Sequence, residues 1–446
     1  MNQNYMKEKK VLPLVVSMSL PMVVSMAVNS MYNIVDSFFV AKISESAMTA
    51  LSLVFPVQNL MTAIAVGFGV GMNARIAFCL GAGDQTSADN AASTGLFMSF
   101  IHGILLMTVC LAVMPGFLSM YTENEEILKM GLVYADRAFL FSVVIMVSIA
   151  LEKIFQAVGR MKVSMISMII GFAVNILLDP LMIFGIGIFP EMGIAGAAYA
   201  TGIGQTACLV SYLVFLKISP VPLSFGRRYV SFEGGLLTGL YAVGIPATLN
   251  MALPSLLISS LNAILTSFSE MYVLVLGAYY KLQTFIYLSA NGIIQGIRPL
   301  VSFNYGAGDD ERVKSIFKTT LLLTAGVMVI GAALSTAVPE TLTGLFTSNP
   351  ETIEAGAGAL RIICVGFIPS AVSVTCCGVL EALGRGISSL AVSLLRYALI
   401  IIPAAWLLSR FIGANGVFLA FPLTELLAAA ASWSIWRRCC SFKHRV

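Results

Sequence analysis

"GAGD" stands at Gly81–Asp84 and again at Gly306–Asp309. The same register aligns Pro21 with Pro246, Gln58 with Gln283, Gly67 with Gly292 and Gly71 with Gly296. It aligns Thr122, Asn124 and Glu126 with Thr347, Asn349 and Glu351, and "AVGR" at Ala157–Arg160 with "ALGR" at Ala382–Arg385. One register held across so many separate segments is an internal duplication, the first thing to establish in a long chain.

What is duplicated is membrane-spanning helix. Hydrophobic residues make up 58% of the 446 and charged residues 11%, against about 25% charged in soluble domains. Apolar runs recur that are long enough to cross a bilayer as helices and too long for barrel strands. Hydropathy predicts twelve spans: 11–41, 48–80, 91–117, 128–156, 162–188, 192–217, 236–268, 272–304, 313–338, 355–383, 387–411 and 414–436. The fold class is therefore all-α integral membrane, with two six-helix repeats. The predicted organisation is an N-lobe over 1–217 and a linker over 218–235 containing "SPVPLSFGRRYVSFEGG". A C-lobe over 236–436 and a basic tail over 437–446 follow. The apolar run after "MNQNYMKEKK" is too long for a signal-peptide core, so it is expected to stay as helix 1.

Six is even, so both copies enter from one side as parallel repeats about an axis along the membrane normal, an arrangement transporters use. Nineteen Lys and Arg near helix ends fall on one face and five on the other. The positive-inside rule then places both termini in the cytoplasm. No basic block points to nucleic acid, and "GAGD" is too short and wrongly spaced to cradle phosphates. The 8 cysteines lack metal spacing and only 2 histidines exist, His102 and His444. Structural cysteines are expected, with tail acylation at Cys439–Cys440 a weaker reading. No nucleophile–base pattern suggests an enzyme, and no cofactor is implied.

An ionisable group at membrane depth costs roughly 2.5–3.5 kcal/mol on insertion scales, so each needs a reason. The candidates are Asp36, Asp179, Lys281, Arg396 and Glu425. Asp136, Arg137, Glu152 and Glu381 lie nearer helix ends and read as interfacial. Asp36 lies roughly 9 Å and Asp179 roughly 14 Å from the outer ends of helices 1 and 5, at about 1.5 Å per residue. Asn175 shares a helix face with Asp179, Pro180 frees the Ile176 carbonyl, and Thr201 enters helix 6 at similar depth. Two carboxylates, an amide oxygen and a hydroxyl suit a hard monovalent cation. They equally suit a carboxylate pair that binds a proton, or structural groups that are hydrogen-bonded or salt-bridged to Lys281 or Arg396. The register favours function: Asp36, Asn175 and Asp179 align with Leu261, Ile400 and Ala404, so the second half has no copy of the cluster. Asn33, one turn before Asp36, is a candidate helper or a plain interhelical hydrogen bond. Lys281, Arg396 and Glu425 form a candidate polar cluster of the second half, in which Arg396 and Glu425 pair across helices 11 and 12.

"SLPM…MYNIVDSFFV", the two "GAGD" turns, "AVGR"/"ALGR" and "NILLDP" together resemble the multidrug and toxic compound extrusion (MATE) family over essentially the whole chain, the bacterial drug-exporter type above all. The resemblance implies export of small organic, cationic, amphipathic substrates by a monomer, driven by inward H⁺ or Na⁺. It carries the family's cation site onto Asp36, Asn175, Asp179 and Thr201, and its helix-1 bending proline onto Pro21. A second family branch binds Na⁺ through acids on helices 7 and 10. Here helix 7 lacks a central acid and Glu381 lies near the end of helix 10, a departure from that pattern. The alternative function is a lipid-linked precursor flippase of the wider superfamily, whose cavity would need cations to hold pyrophosphate.

Overall fold

The computed structural model describes residues 5–439. Among these, twelve long helices account for the fold and no strand forms. They are α1 Val11–Ala41, α2 Glu45–Gly81, α3 Gln85–Ser119, α4 Glu125–Leu140 with Ser142–Ala157, α5 Met161–Phe184 and α6 Ile194–Ile218. The second set is α7 Gly234–Thr266, α8 Glu270–Gly306, α9 Asp310–Ala337, α10 Pro350–Ala382, α11 Gly386–Ile412 and α12 Ala414–Cys439. Ten of these are single helices long and apolar enough to cross a membrane, and α4, bent by 47° at Phe141, makes an eleventh. The remaining helix, α8, carries Glu270, Lys281 and Arg298 and is more polar. It has 37 residues, as its counterpart α2 does, and both of its ends fall in the register that pairs Gly81 with Gly306. At about 1.5 Å per residue both reach about 55 Å, ample for a bilayer.

The repeated motifs are punctuation. In "GAGD" Gly81 ends α2, and Gly83 takes φ +78°, a left-handed turn open to glycine. Asp84 then caps α3 by accepting from the Ser87 N–H at 2.9 Å. The second copy repeats this, with Gly308 at φ +79° and Asp309 accepting from the Arg312 N–H at 3.0 Å. The Asn124 N–H donates to Thr122 Oγ1 at 3.1 Å, and its side chain caps Glu126 at 3.0 Å. Asn349 does the same with Thr347 and Glu351, at 3.2 and 3.0 Å. The Arg160 and Arg385 N–H groups close the turns after α4 and α10 onto the Phe155 and Leu380 carbonyls, each at 2.8 Å. The duplication thus extends to individual hydrogen bonds, because stopping one helix and starting the next needs the same few groups in both halves.

The chain forms two compact units, one of Val24–Gly244 and the other of residues 5–23 with 245–439. The first part of α1 therefore packs with α8, and the first part of α7 with α2. Glycines at matched positions allow both approaches. A Cβ on Gly292 would meet Val23 backbone, and one on Gly71 would strike the Leu240 carbonyl. The residues before α1 are held to the same unit as α8. Asn304 Nδ2 and Arg312 Nε donate to the Met6 carbonyl at 3.3 and 3.2 Å.

Each unit has its own apolar core. Phe68, Met72, Ile154, Phe155 and Tyr212 anchor part of the first, and Val40, Leu51, Met114 and Phe139 another part. Leu261, Tyr279, Phe367, Phe418 and Phe421 anchor the second. Leu261, the counterpart of Asp36, is fully buried in that core, and Ala404, the counterpart of Asp179, packs against it.

Candidate functional site

The site starts from two glycines. A Cβ on Gly204 would lie 2.7 Å from the Gly171 carbonyl and 2.9 Å from Asn175 Cβ. Without side chains there, α5 and α6 meet backbone to backbone, and short polar groups can bridge them. Asn175 Nδ2 donates to Asp179 Oδ1 and to Thr201 Oγ1, each at 3.3 Å. Asn175 and Asp179 are buried.

Helix α1 supplies the other side. The Tyr32 ring stacks on Phe172 of α5, centroids 5.0 Å apart and planes 9° apart. Its hydroxyl lies 3.5 Å from Thr201 Oγ1. Asp36, one turn further, lies near enough to Asp179 and to Tyr134 of α4 to interact with both electrostatically. The Tyr134 hydroxyl accepts from Gln58 Nε2 of α2 at 3.2 Å. Asp36, Asn175, Asp179 and Thr201 thus gather in one unit.

Three oxygens of this group are left over. Asp36 Oδ1, Asn175 Oδ1 and Asp179 Oδ2 are buried without a hydrogen-bond partner among the described residues. An unsatisfied buried polar atom costs about 1–3 kcal/mol. Three acceptors with no donor between them can be satisfied by a cation, a proton or a water molecule. No group of three or more His, Cys, Asp and Glu side chains assembles among the described residues. Two carboxylates are few for the six to eight oxygen ligands that calcium takes, so a monovalent ion or a proton suits the donor set better.

The other expected residues fall elsewhere. Asn33 is exposed, and its Nδ2 donates to the Asn29 carbonyl of its own helix at 2.8 Å, so it does not join the cluster. Pro21 lies inside α1, in the part that packs with the second unit. Arg396 Nε and Glu425 Oε1 pair at 2.7 Å, both buried. Arg396 also donates to the Tyr287 and Tyr397 hydroxyls at 3.1 Å each. It sits in a π-helical turn, Leu395–Leu399, a widening common at functional positions. Lys281 is not brought to this group, and its Nζ lies 5.6 Å from the Phe346 ring centroid. Glu152 and Glu381 are buried within the protein, and each has a cation within its own unit: Lys153 for the first and Arg298 for the second, both at 2.7 Å. Cys440 and His444 lie outside the described residues, as does most of the basic tail.

Tyr32, Tyr134 and Phe172 were not singled out from sequence. The signal for Tyr32 was present, one turn before Asp36 and so on the same helix face.

A family model described as MatE matches residues 21–181 and again 246–407, its two matches beginning at the paired prolines Pro21 and Pro246. The chain is similar to "Multidrug export protein MepA" of Staphylococcus aureus (strain MSSA476), 25% identical over 432 residues, covering 97% of this chain and 94% of that protein. It is 23% identical to the protein of that name in Staphylococcus haemolyticus (strain JCSC1435), over 95% and 93% of the two chains. Among solved structures it resembles one described as the outward-facing conformation of a multidrug resistance MATE family transporter of the MOP superfamily. That match has TM-score 0.92 and 22% identity, over 99% of this chain and 98% of that one. A MATE structure in the bent conformation matches at TM-score 0.92 and 23% identity, over the same shares.

Proposed function

Because the chain belongs to the MatE family, we propose that it is a multidrug exporter of the bacterial plasma membrane, an antiporter that exchanges small organic cations for inward H⁺ or Na⁺. Both termini are cytoplasmic in this reading. The observation that carries it is the set of three unpartnered buried oxygens on Asp36, Asn175 and Asp179. The names of the staphylococcal relatives support the substrate class.

The coupling ion binds at Asp36 and Asp179, with Asn175 and Thr201 completing the site. It shifts the conformational balance only through its different affinity for the two states. Ionised, the two carboxylates repel each other across α1 and α5. With a proton or Na⁺ bound, that repulsion falls, α1 packs differently, and bound substrate is released outward. Pro21 supplies a weak point in α1, because it removes one backbone donor from the helix.

A flippase for lipid-linked precursors would need free cations to hold pyrophosphate. Of the two cations expected at membrane depth, Arg396 is already engaged by Glu425 and Lys281 lies apart from it against Phe346, which favours the drug-export reading.

The test is ethidium accumulation in cells carrying the wild type, Asp36→Asn or Asp179→Asn, at equal membrane abundance. Each variant is expected to lose gradient-driven efflux. Collapsing the proton gradient and removing Na⁺ separately identify the ion. Undiminished efflux in both variants would sink the proposal.

A further inference from the structure

The segment between α6 and α7 is strapped along α3. Asp89 Oδ1 accepts from the Ser224 N–H at 2.9 Å, and Gln85 Nε2 donates to the Pro222 carbonyl at 2.9 Å. Thr94 Oγ1 accepts from the Ser231 N–H at 2.9 Å and donates to the Ser231 carbonyl at 3.2 Å. Arg160 Nη2 holds the Pro220 carbonyl at 2.7 Å. Connecting two helices does not require such fastening.

Under the strap lies an apolar groove of about 370 Å³ between α3, α4 and the segment, lined by Phe97, Phe100, Val147, Phe225 and Val230 among others. Phe97, Phe100 and Phe225 are 37–46% exposed, and Phe97 also meets the Phe232 ring edge-on at 6.0 Å. Aromatic faces exposed on a spanning helix look into lipid. Ser93 lies two turns into α3, roughly 12 Å along it, and Asp89 is the last acidic residue before the apolar run. The groove mouth therefore sits at the edge of the span, where headgroups lie.

At that mouth the segment turns through Arg227–Tyr229, between groove residues Gly226 and Val230. Arg227 and Arg228 are exposed. The Arg228 guanidinium is steadied over the Tyr229 ring, 4.6 Å from its centroid, and donates to the Tyr229 hydroxyl. Four of its five N–H donors remain for a ligand. Arg160, Lys162 and Lys217 belong with them to the face rich in Lys and Arg, against Asp84, Asp89 and Glu233, so the balance is still positive. We propose that this groove binds an anionic phospholipid of the leaflet rich in Lys and Arg, with an acyl chain along Phe97, Phe100 and Val147 and the headgroup phosphate on Arg227 and Arg228. Basic pockets between helices on that side suit such headgroups.

The experiment offers equal amounts of phosphatidylglycerol and phosphatidylcholine to the purified full chain in detergent and counts retained lipid by native mass spectrometry. Wild type is expected to retain phosphatidylglycerol preferentially. Arg227→Ala with Arg228→Ala, both exposed, is expected to cut that preference about 30-fold, the equivalent of about 1 kcal/mol for each basic residue. Val147→Phe, which fills the groove and leaves the charge alone, is expected to lower retention of both lipids. Equal retention of the two lipids by wild type would overturn the proposal. So would an unchanged preference in the double variant, or undiminished phosphatidylglycerol on Val147→Phe. The readout is bound lipid, so failure here is distinct from failure of the transport reading.

Discussion

Gly296 of α8 lies so close to Ser19 of α1 that a Cβ built on the glycine would be 2.5 Å from Ser19 Cα. The obstacle is backbone, which cannot rotate away as a side chain can. Gly296→Ala is expected to destabilise the protein by about 1–3 kcal/mol, the usual cost of overpacking. Gly116→Ala on α3, where nothing lies within 4 Å, is the control. It should be neutral or slightly stabilising, by up to about 1 kcal/mol. Thermal unfolding in detergent, followed by intrinsic fluorescence, separates the two.

The Arg396–Glu425 pair makes a second test. Removing one partner leaves the other buried and charged, which typically costs about 3–5 kcal/mol. Arg396→Met and Glu425→Met are each expected to lower the unfolding midpoint markedly. The double variant should recover part of the loss, because no orphan charge remains. A double-mutant cycle on unfolding midpoints reads the coupling, and additive losses would count against it.

Tyr32 separates packing from hydrogen bonding at the carboxylate cluster. Its hydroxyl contact with Thr201 is long, at 3.5 Å, and long contacts are weak. Tyr32→Phe is expected to keep stability within about 0.5 kcal/mol. Tyr32→Ala removes the ring stacked on Phe172 and should cost about 2 kcal/mol or more. Equal losses in the two variants, again by thermal unfolding, would make the hydroxyl the important part.

Asp84 links the start of α3 to pH. Hydrogen bonds from the Ser87 side chain and backbone hold its carboxyl below the ordinary carboxylate value. A depressed native value means the cap's full contribution is present above the unfolded value, about 3.9. It fades as pH falls through the lower native value. Amide exchange at Ser87 should therefore show steady protection from neutral pH down to about 5 and lose it in stronger acid. Asp84→Asn keeps a good cap that does not titrate and should remove the acid step.

The twelve spans and the duplication were legible because they rest on long apolar runs and on turn chemistry, both written locally in the chain. Gly83 and Asp84 announce one turn wherever they occur. The absence of a second-half copy of Asp36 and Asp179 was legible for the same reason. Contacts between distant segments were not. Nothing local says that Ser19 Oγ donates to the Ile293 carbonyl, far along the chain on α8. Helix pitch alone does not show that Asn33 turns to its own backbone while Tyr32 finds Phe172. Arg396 and Glu425 were visible as expensive residues able to pair, but the π-helical turn that carries Arg396 has no simple sequence signature. The strap along α3 was read as a plain linker, because its hydrogen bonds are made by ordinary Ser, Thr and Gln side chains.

The shared register makes each half a reference sample for the other. Gly71 and Gly296 ask the same question of two backbones inside one molecule, under one set of solvent and lipid conditions. Substituting twins in parallel separates what the architecture demands from what one half alone has acquired. Where twins respond alike, the trait predates the divergence of the two copies. Where they differ, as Asp36 and Leu261 must, one half has gained or the other has lost that chemistry since the duplication.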